Sequence, residues 1–166
     1  MSTLSTPRDL FLHELGDILY VETKLADEVL PKLIDEVSSG ELRKGLEKHL
    51  EQTRGHVTNV EAVFDSLDEQ PTAEECIGFE GLRKEHDELL KEASPELVDL
   101  VDVGAATRTE HYEIAAYETL IGMARSLGES EAAGLLEENL KEEKEALREV
   151  ESVGKTLTKE MAKAAS

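Results

Sequence analysis

Tryptophan is absent from this chain of 166 residues, aromatic side chains make up 4%, and there is one cysteine, Cys76. A lone cysteine forms no intrachain disulfide, so nothing argues for an oxidising compartment. Cys76 is read as a packing residue. No apolar run approaches the roughly 18 residues that span a bilayer. The stretch from Met1 to Pro7 is short and polar, unlike a secretion signal, and a cytoplasmic protein is expected. There is no Gly-rich phosphate loop, no paired-Cys motif and no recognisable Ser/His/Asp arrangement. With so few rings, the core must be Leu, Val, Ile and Ala. Together with abundant Glu and Lys, that composition favours long helices.

Positive charge is also scarce. There are 38 acidic and 18 basic residues, a formal net of -20. Such a surface repels nucleic acid and anionic membranes. It suits a salt-rich cytoplasm, where screening removes the self-repulsion, and a halophilic source is the expectation. An ordinary acidic soluble protein is the alternative.

Punctuation divides the chain. Thr6-Pro7 reads as an N-cap and first helical position, with Asp9 in the first turn. The first helix is expected over about residues 7–37, bent by Pro31. Ser38-Ser39-Gly40 is a turn, with Ser38 and Glu41 as a capping box. A second helix follows over about 41–69, until Gln70-Pro71-Thr72 breaks it. Ser94-Pro95 opens a third helix, about 95–127, which Gly128 ends. Ser130 caps a fourth, about 131–157, and the tail 158–166 is expected to fray. Between the second and third helices lies a long crossover with a short helix near 80–92. A crossover between two antiparallel hairpins is the ferritin-like connection. The expected architecture is thus one all-α, ferritin-like four-helix bundle over 1–166.

Each helix carries one apolar stripe at about 100° per residue. The first runs Phe11, Leu15, Ile18, Leu19, Leu25, Ala26, Val29, Leu33, and Glu22 falls in its middle. On the third, Glu110 and Glu113 sit among Val103, Ala106, Tyr117, Leu120, Ile121 and Ala124. On the fourth, Glu143 is central among Leu136, Leu140, Leu147 and Val150. On the second, Thr53 is central and His49 and His56 lie at the edge. A single Glu on such a stripe is ordinarily snorkelling or paired. Four on three helices need a counter-charge, because an ionised buried carboxylate costs several kcal/mol. Lys32, Arg125 and Lys144 are rotated by about 80° from the stripe centres. Metal is then the economical counter-charge, since hard cations prefer carboxylate oxygens and bridging carboxylates hold two ions together.

Depth along the bundle refines the set. Measured from Ser39, Glu22 and His56 lie in one layer. His49 lies about 10 Å further along and is the poorer candidate. Glu113 and Glu143 are level about Gly128. The candidate metal ligands are Glu22, His56, Glu110, Glu113 and Glu143. His56 alone reads better as a partly exposed surface histidine, and its registration with Glu22 makes the two readings equal. Tyr117, four residues from Glu113, is either a hydrogen-bond donor behind the ligands or plain core. His111 faces elsewhere and is read as structural or interfacial.

DLFLHELGDILYVETKL from Asp9 to Leu25, HLEQTRG from His49 to Gly55, EHYEIAAYETL from Glu110 to Leu120 and LLEENLKEEK from Leu135 to Lys144 resemble the YciE/YciF stress-protein family. The resemblance runs from about Asp9 to Leu157, and EHYEIAAY is its most specific piece. It implies a ferritin-like fold related to rubrerythrins, a stress-linked role and a homodimer or higher homo-oligomer. The rubrerythrin pattern has Glu on the first helix, Glu-x-x-His on the second, Glu-x-x-Glu on the third and Glu-x-x-His on the fourth. Glu22, His56, Glu110, Glu113 and Glu143 match it. Thr53 and Ala146 depart from it, standing where a Glu and a His are expected.

Two functions follow as expectations. One is a dinuclear iron or manganese protein that reacts with oxygen or peroxide, or sequesters metal under stress. The other is a metal-free structural or interaction protein whose buried glutamates are protonated or paired across a subunit interface.

Overall fold

The computed structural model describes residues 4–164. Met1 to Thr3, part of the polar N-terminal stretch, and the last two residues of the expected frayed tail lie outside them. Thr6 opens α1 (Pro7–Lys24) with a capping box: its side chain accepts from the Asp9 N–H, and Asp9 accepts from the Thr6 N–H. A π-helical turn, Leu25–Val29, links α1 to α2 (Leu30–Glu36). Pro31 explains the turn: it has no N–H to give, and its ring crowds the preceding turn. The chain adds one residue, so Leu30 N–H donates to Leu25 O. The insertion rotates the stripe. Leu30 is buried, and Val29, expected in the stripe, is half-buried.

Ser39, not Ser38, caps α3 (Gly40–Ser66), its hydroxyl accepting from the Leu42 N–H. The Ser38 and Ser39 N–H groups both donate to the Asp99 carboxylate, at 2.8 Å each. This is why the expected Ser38–Glu41 box is replaced: Asp99, from the opposite hairpin, already holds the turn.

The crossover leaves α3 through Asp68, whose φ of 57° lies in the left-handed region. It then pins itself to α1, where Glu74 N–H donates to Gly16 O. A Cβ at Gly16 would meet Thr72 O at 2.7 Å, so only glycine permits this approach. The crossover carries α4 (Ile77–Glu92), a 3₁₀ turn, Pro95–Leu97, and then α5 (Val98–Leu127). Gly128 ends α5 at φ 82°.

α6 spans Ser130–Ala164. Residues 158–164, expected to fray, continue the helix. Lys and Glu throughout that stretch have good helix propensity, and no proline or glycine stops it.

The four long helices form a square. α1 packs on α3, α3 on α6, α6 on α5 and α5 on α1, while α4 lies against α5. The expected all-α bundle of two antiparallel hairpins and a crossover is the one observed. Its core is mainly aliphatic, with Leu15, Ile18, Leu120 and Leu136 almost wholly buried, and the rings of Phe11, Phe79 and Tyr117 are buried among them. Among the described residues, no helix is long and apolar enough to cross a membrane.

Candidate metal centre

Each carboxylate singled out on the stripes is buried: Glu22, Glu113 and Glu143 have no exposure, and Glu110 retains 5%. α1 supplies Glu22 from between Ile18, Leu19 and Leu25. α5 supplies Glu110 and Glu113, one turn apart on its inner face, and α6 supplies Glu143. His56 is buried too, which settles it against the surface reading.

α6 is rotated from the expected stripe. Its inner line runs Leu136, Asn139, Glu143, Ala146, Val150, while Leu140 and Leu147 are half-buried. Asn139 tolerates burial because its polar atoms are bonded. Its amide donates to Tyr117 Oη at 3.0 Å and to His56 O at 3.3 Å, and it accepts from Asn59 at 2.7 Å.

The side chains converge in two groups that share Glu143. One comprises Glu22, His56 and Glu143; the other comprises His49, Glu110, Glu113 and Glu143. Within each group, one ligand-type atom per residue lies within 4.8 Å of all the others. His56 Nδ1 is 2.8 Å from Glu143 Oε1 and 3.4 Å from Glu22 Oε1. His49 Nε2 is 3.3 Å from Glu110 Oε1 and 3.8 Å from Glu143 Oε2.

His49 corrects the sequence reading, which ranked it as the poorer candidate. Rise along the backbone places the two Cα atoms about 10 Å apart but not the ends of their side chains. The two imidazoles reach toward one centre, and their ring centroids are 6.3 Å apart. Positions 49, 53 and 56 share one face of α3, and Thr53 between them is fully buried. Its hydroxyl donates to His49 O at 2.9 Å, so it serves the helix and offers no ligand. Ala146, the other departure from the pattern, is buried with nothing to donate.

Further residues support the cluster. The Tyr117 hydroxyl donates to Glu22 Oε1, so Tyr117 is a hydrogen-bond donor to a candidate ligand as well as core. His56 Nε2 lies 3.0 Å from Glu142 Oε2, so a half-exposed carboxylate orients the ring and leaves Nδ1 facing inward. His111 is exposed, away from the cluster. Asn139 and Glu142 were not singled out from the sequence, and His49 was ranked below His56. Asn139 was legible as a polar residue one turn before Glu143; Glu142 carried no signal beyond its neighbour.

Among the described residues, no Lys or Arg nitrogen comes within 4.0 Å of the four buried glutamates; only the two histidines do. Lys32 pairs with Asp87, Arg125 with Glu137 and Lys144 with Glu118, all at the surface. Among the described residues, apart from Asp102 Oδ2, every buried side-chain polar atom without a hydrogen-bond partner belongs to Glu22, His49, His56, Glu110, Glu113 or Glu143.

Electrostatics follow from this crowding. Burial, reinforced by the neighbouring carboxylates, holds the Glu113 carboxyl well above the ordinary range. Burial also raises Glu110, against the opposing pull of His49, and raises Glu143 although His56 opposes it. For His56, burial works downward, but Glu22 and Glu143 outweigh it and push the imidazole up to about 11. Burial and the Glu22 carboxylate raise Tyr117 well above its ordinary value, so it stays a donor. The donor set is four carboxylates and two imidazoles. Carboxylates suit hard divalent cations and imidazole suits iron, so iron(II) or manganese(II) fits the set.

The family model described as a domain of unknown function (DUF892) matches residues 6–163. Protein YciF of Escherichia coli K12 is 36% identical over 143 residues, covering 85% of this chain and 86% of YciF. The crystal structure of the E. coli stress protein YciF superposes with a TM-score of 0.87 at 32% identity, covering 93% of this chain and 98% of that one. YcfI of Rhodopseudomonas palustris superposes with a TM-score of 0.86 at 38% identity, covering 89% and 94%. A Xanthomonas campestris protein, 22% identical with a TM-score of 0.75, shares the fold. The chain therefore belongs to the DUF892 family, that of the stress protein YciF.

Proposed function

We propose that this is a dinuclear metal-carboxylate protein of the stress response. Glu22, His56 and Glu143 hold one divalent iron or manganese ion, and His49, Glu110, Glu113 and Glu143 hold the other. The observation that carries the reading is the set of unpartnered buried ligand atoms, gathered from four helices with no Lys or Arg beside them. Ionised, the four glutamates carry a charge that two divalent cations cancel. When bound, such a pair supplies one-electron chemistry toward oxygen or peroxide, or simply a store of metal. The chain's own residues orient the ligands: Tyr117 holds Glu22, Glu142 holds His56, and Asn139 ties Tyr117 to the backbone of α3. Location in the cytoplasm belongs to this proposal and is supported by Cys76, a buried free thiol. Assembly as a homo-oligomer belongs to it on the strength of the family resemblance alone.

Metal analysis with thermal unfolding tests the reading. Iron(II) or manganese(II) is expected to bind at two ions per chain. Free metal at a hundred times Kd should stabilise the fold by about 2.7 kcal/mol per site. Fewer than half an ion per chain after loading, with an unchanged Tm, would instead support a metal-free structural protein.

A further inference from the structure

The six clustered side chains are not sealed equally. Glu22, Glu113 and Glu143 are fully buried, whereas His49 and Glu110 retain 6% and 5% exposure. The same two residues line a recess of about 40 Å³ between α3, α5 and α6. Leu46, Ala106, Ala146, Val150 and Val153 form much of its wall. Glu149 is the one exposed residue that lines it. His49 Nδ1 and Glu110 Oε2, both buried, have no hydrogen-bond partner. Ala146 follows Glu143 by three residues and so shares its face of α6. Any larger side chain at 146 would project into this space.

The chemistry of the walls selects the occupant. A cation would meet only Glu149, already paired with Lys48, before His49, and an anion would meet Glu110 head-on. The walls between Glu149 and the His49–Glu110 floor are apolar, and apolar walls favour an apolar occupant. One water-sized centre needs about 10–15 Å³, so the recess has room for a molecule of two or three heavy atoms.

We propose that the recess is a binding site for a small uncharged molecule of low polarity, of which dioxygen is the member competent to react with reduced metal. Ala146 is the residue that keeps it open. The purpose of the site rests on the metal-centre reading; its existence does not. A second recess, about 50 Å³, lies under α4 and also reaches His49 and Glu110, but Ala146 is not in its wall.

Xenon, a neutral apolar probe, tests the inference directly. Crystals of the full chain, metal-free and manganese-loaded, would be pressurised with xenon and mapped by anomalous scattering. A xenon peak against Ala146 and Ala106 is expected in both. It should be lost in Ala146→Leu while bound manganese is unchanged, and Ala146→Val serves if the Leu variant does not fold. No peak between α3, α5 and α6, a peak only under α4, or a peak that survives both substitutions overturns the proposal. A xenon peak in a chain that binds no manganese leaves the recess standing and removes the metal reading. Bound manganese without xenon does the reverse.

Discussion

His56 Nδ1 approaches Glu143 Oε1 to 2.8 Å, a buried imidazole–carboxylate pair that joins α3 to α6. Glu143 also reaches His49, so it joins the two halves of the cluster.

This shared position sets unequal mutational effects. Glu143→Ala is expected to lose both ions. His56→Ala should lose only the ion shared with Glu22, and His49→Ala only the ion shared with Glu110 and Glu113. Metal content after dialysis checks this; equal losses in all three variants would contradict the division into two groups.

Glu142 is expected to matter although it contacts no ligand atom facing inward. Its carboxylate fixes the His56 ring through Nε2. Removing such an orienting partner typically weakens metal binding by about 10–100-fold. Glu142→Ala should therefore weaken the Glu22–His56–Glu143 site selectively, with little change in stability, since Glu142 is 42% exposed. Calorimetric titration separates the two sites.

The metal-free protein should lose stability as pH rises. Glu110, Glu113 and Glu143 have raised carboxyl pKa values when folded. The folded chain thus holds protons that the unfolded chain releases from about its ordinary value of 4.5 upward. That contribution is full below the unfolded value and is lost as pH climbs through the folded one. His56 acts in the same direction, its contribution present below 6.5 and lost as pH rises through about 11. In chelator, Tm is expected to fall from pH 5 to pH 8. The fall should be shallower in Glu113→Gln, which cannot ionise. Metal binding, which needs deprotonated ligands, should strengthen over the same range. A Glu113→Gln curve parallel to that of the unaltered chain would show that Glu113 does not titrate on unfolding.

Tyr117→Phe should destabilise the fold. The hydroxyl donates to Glu22 and accepts from Asn139, so its loss strands two buried groups. Each costs about 1–3 kcal/mol. Urea unfolding in chelator measures the loss.

The bundle was legible because its signals are local and repeated. Thr6-Pro7, Gly128 and the apolar stripes each act within a few residues, and together they define helices, hairpins and a crossover. The four glutamates were legible because charge on an apolar stripe is conspicuous. What escaped depended on side-chain reach or on partners distant in sequence. Ser38 lost its cap to Asp99, 61 residues away. His49 was misjudged because backbone rise does not report where an imidazole ends. The rotation of α6 that buries Asn139 depends on Tyr117 and Asn59, which a single helix cannot reveal. The π-helical turn follows from Pro31, but a proline signals a disturbance without saying which kind.

The most direct measurement is an anomalous difference map from manganese-soaked crystals. Two peaks are expected inside the bundle, one contacted by Glu22, His56 and Glu143, the other by His49, Glu110, Glu113 and Glu143. A map with no peak among these six side chains, or with peaks only on surface carboxylates, contradicts the metal centre.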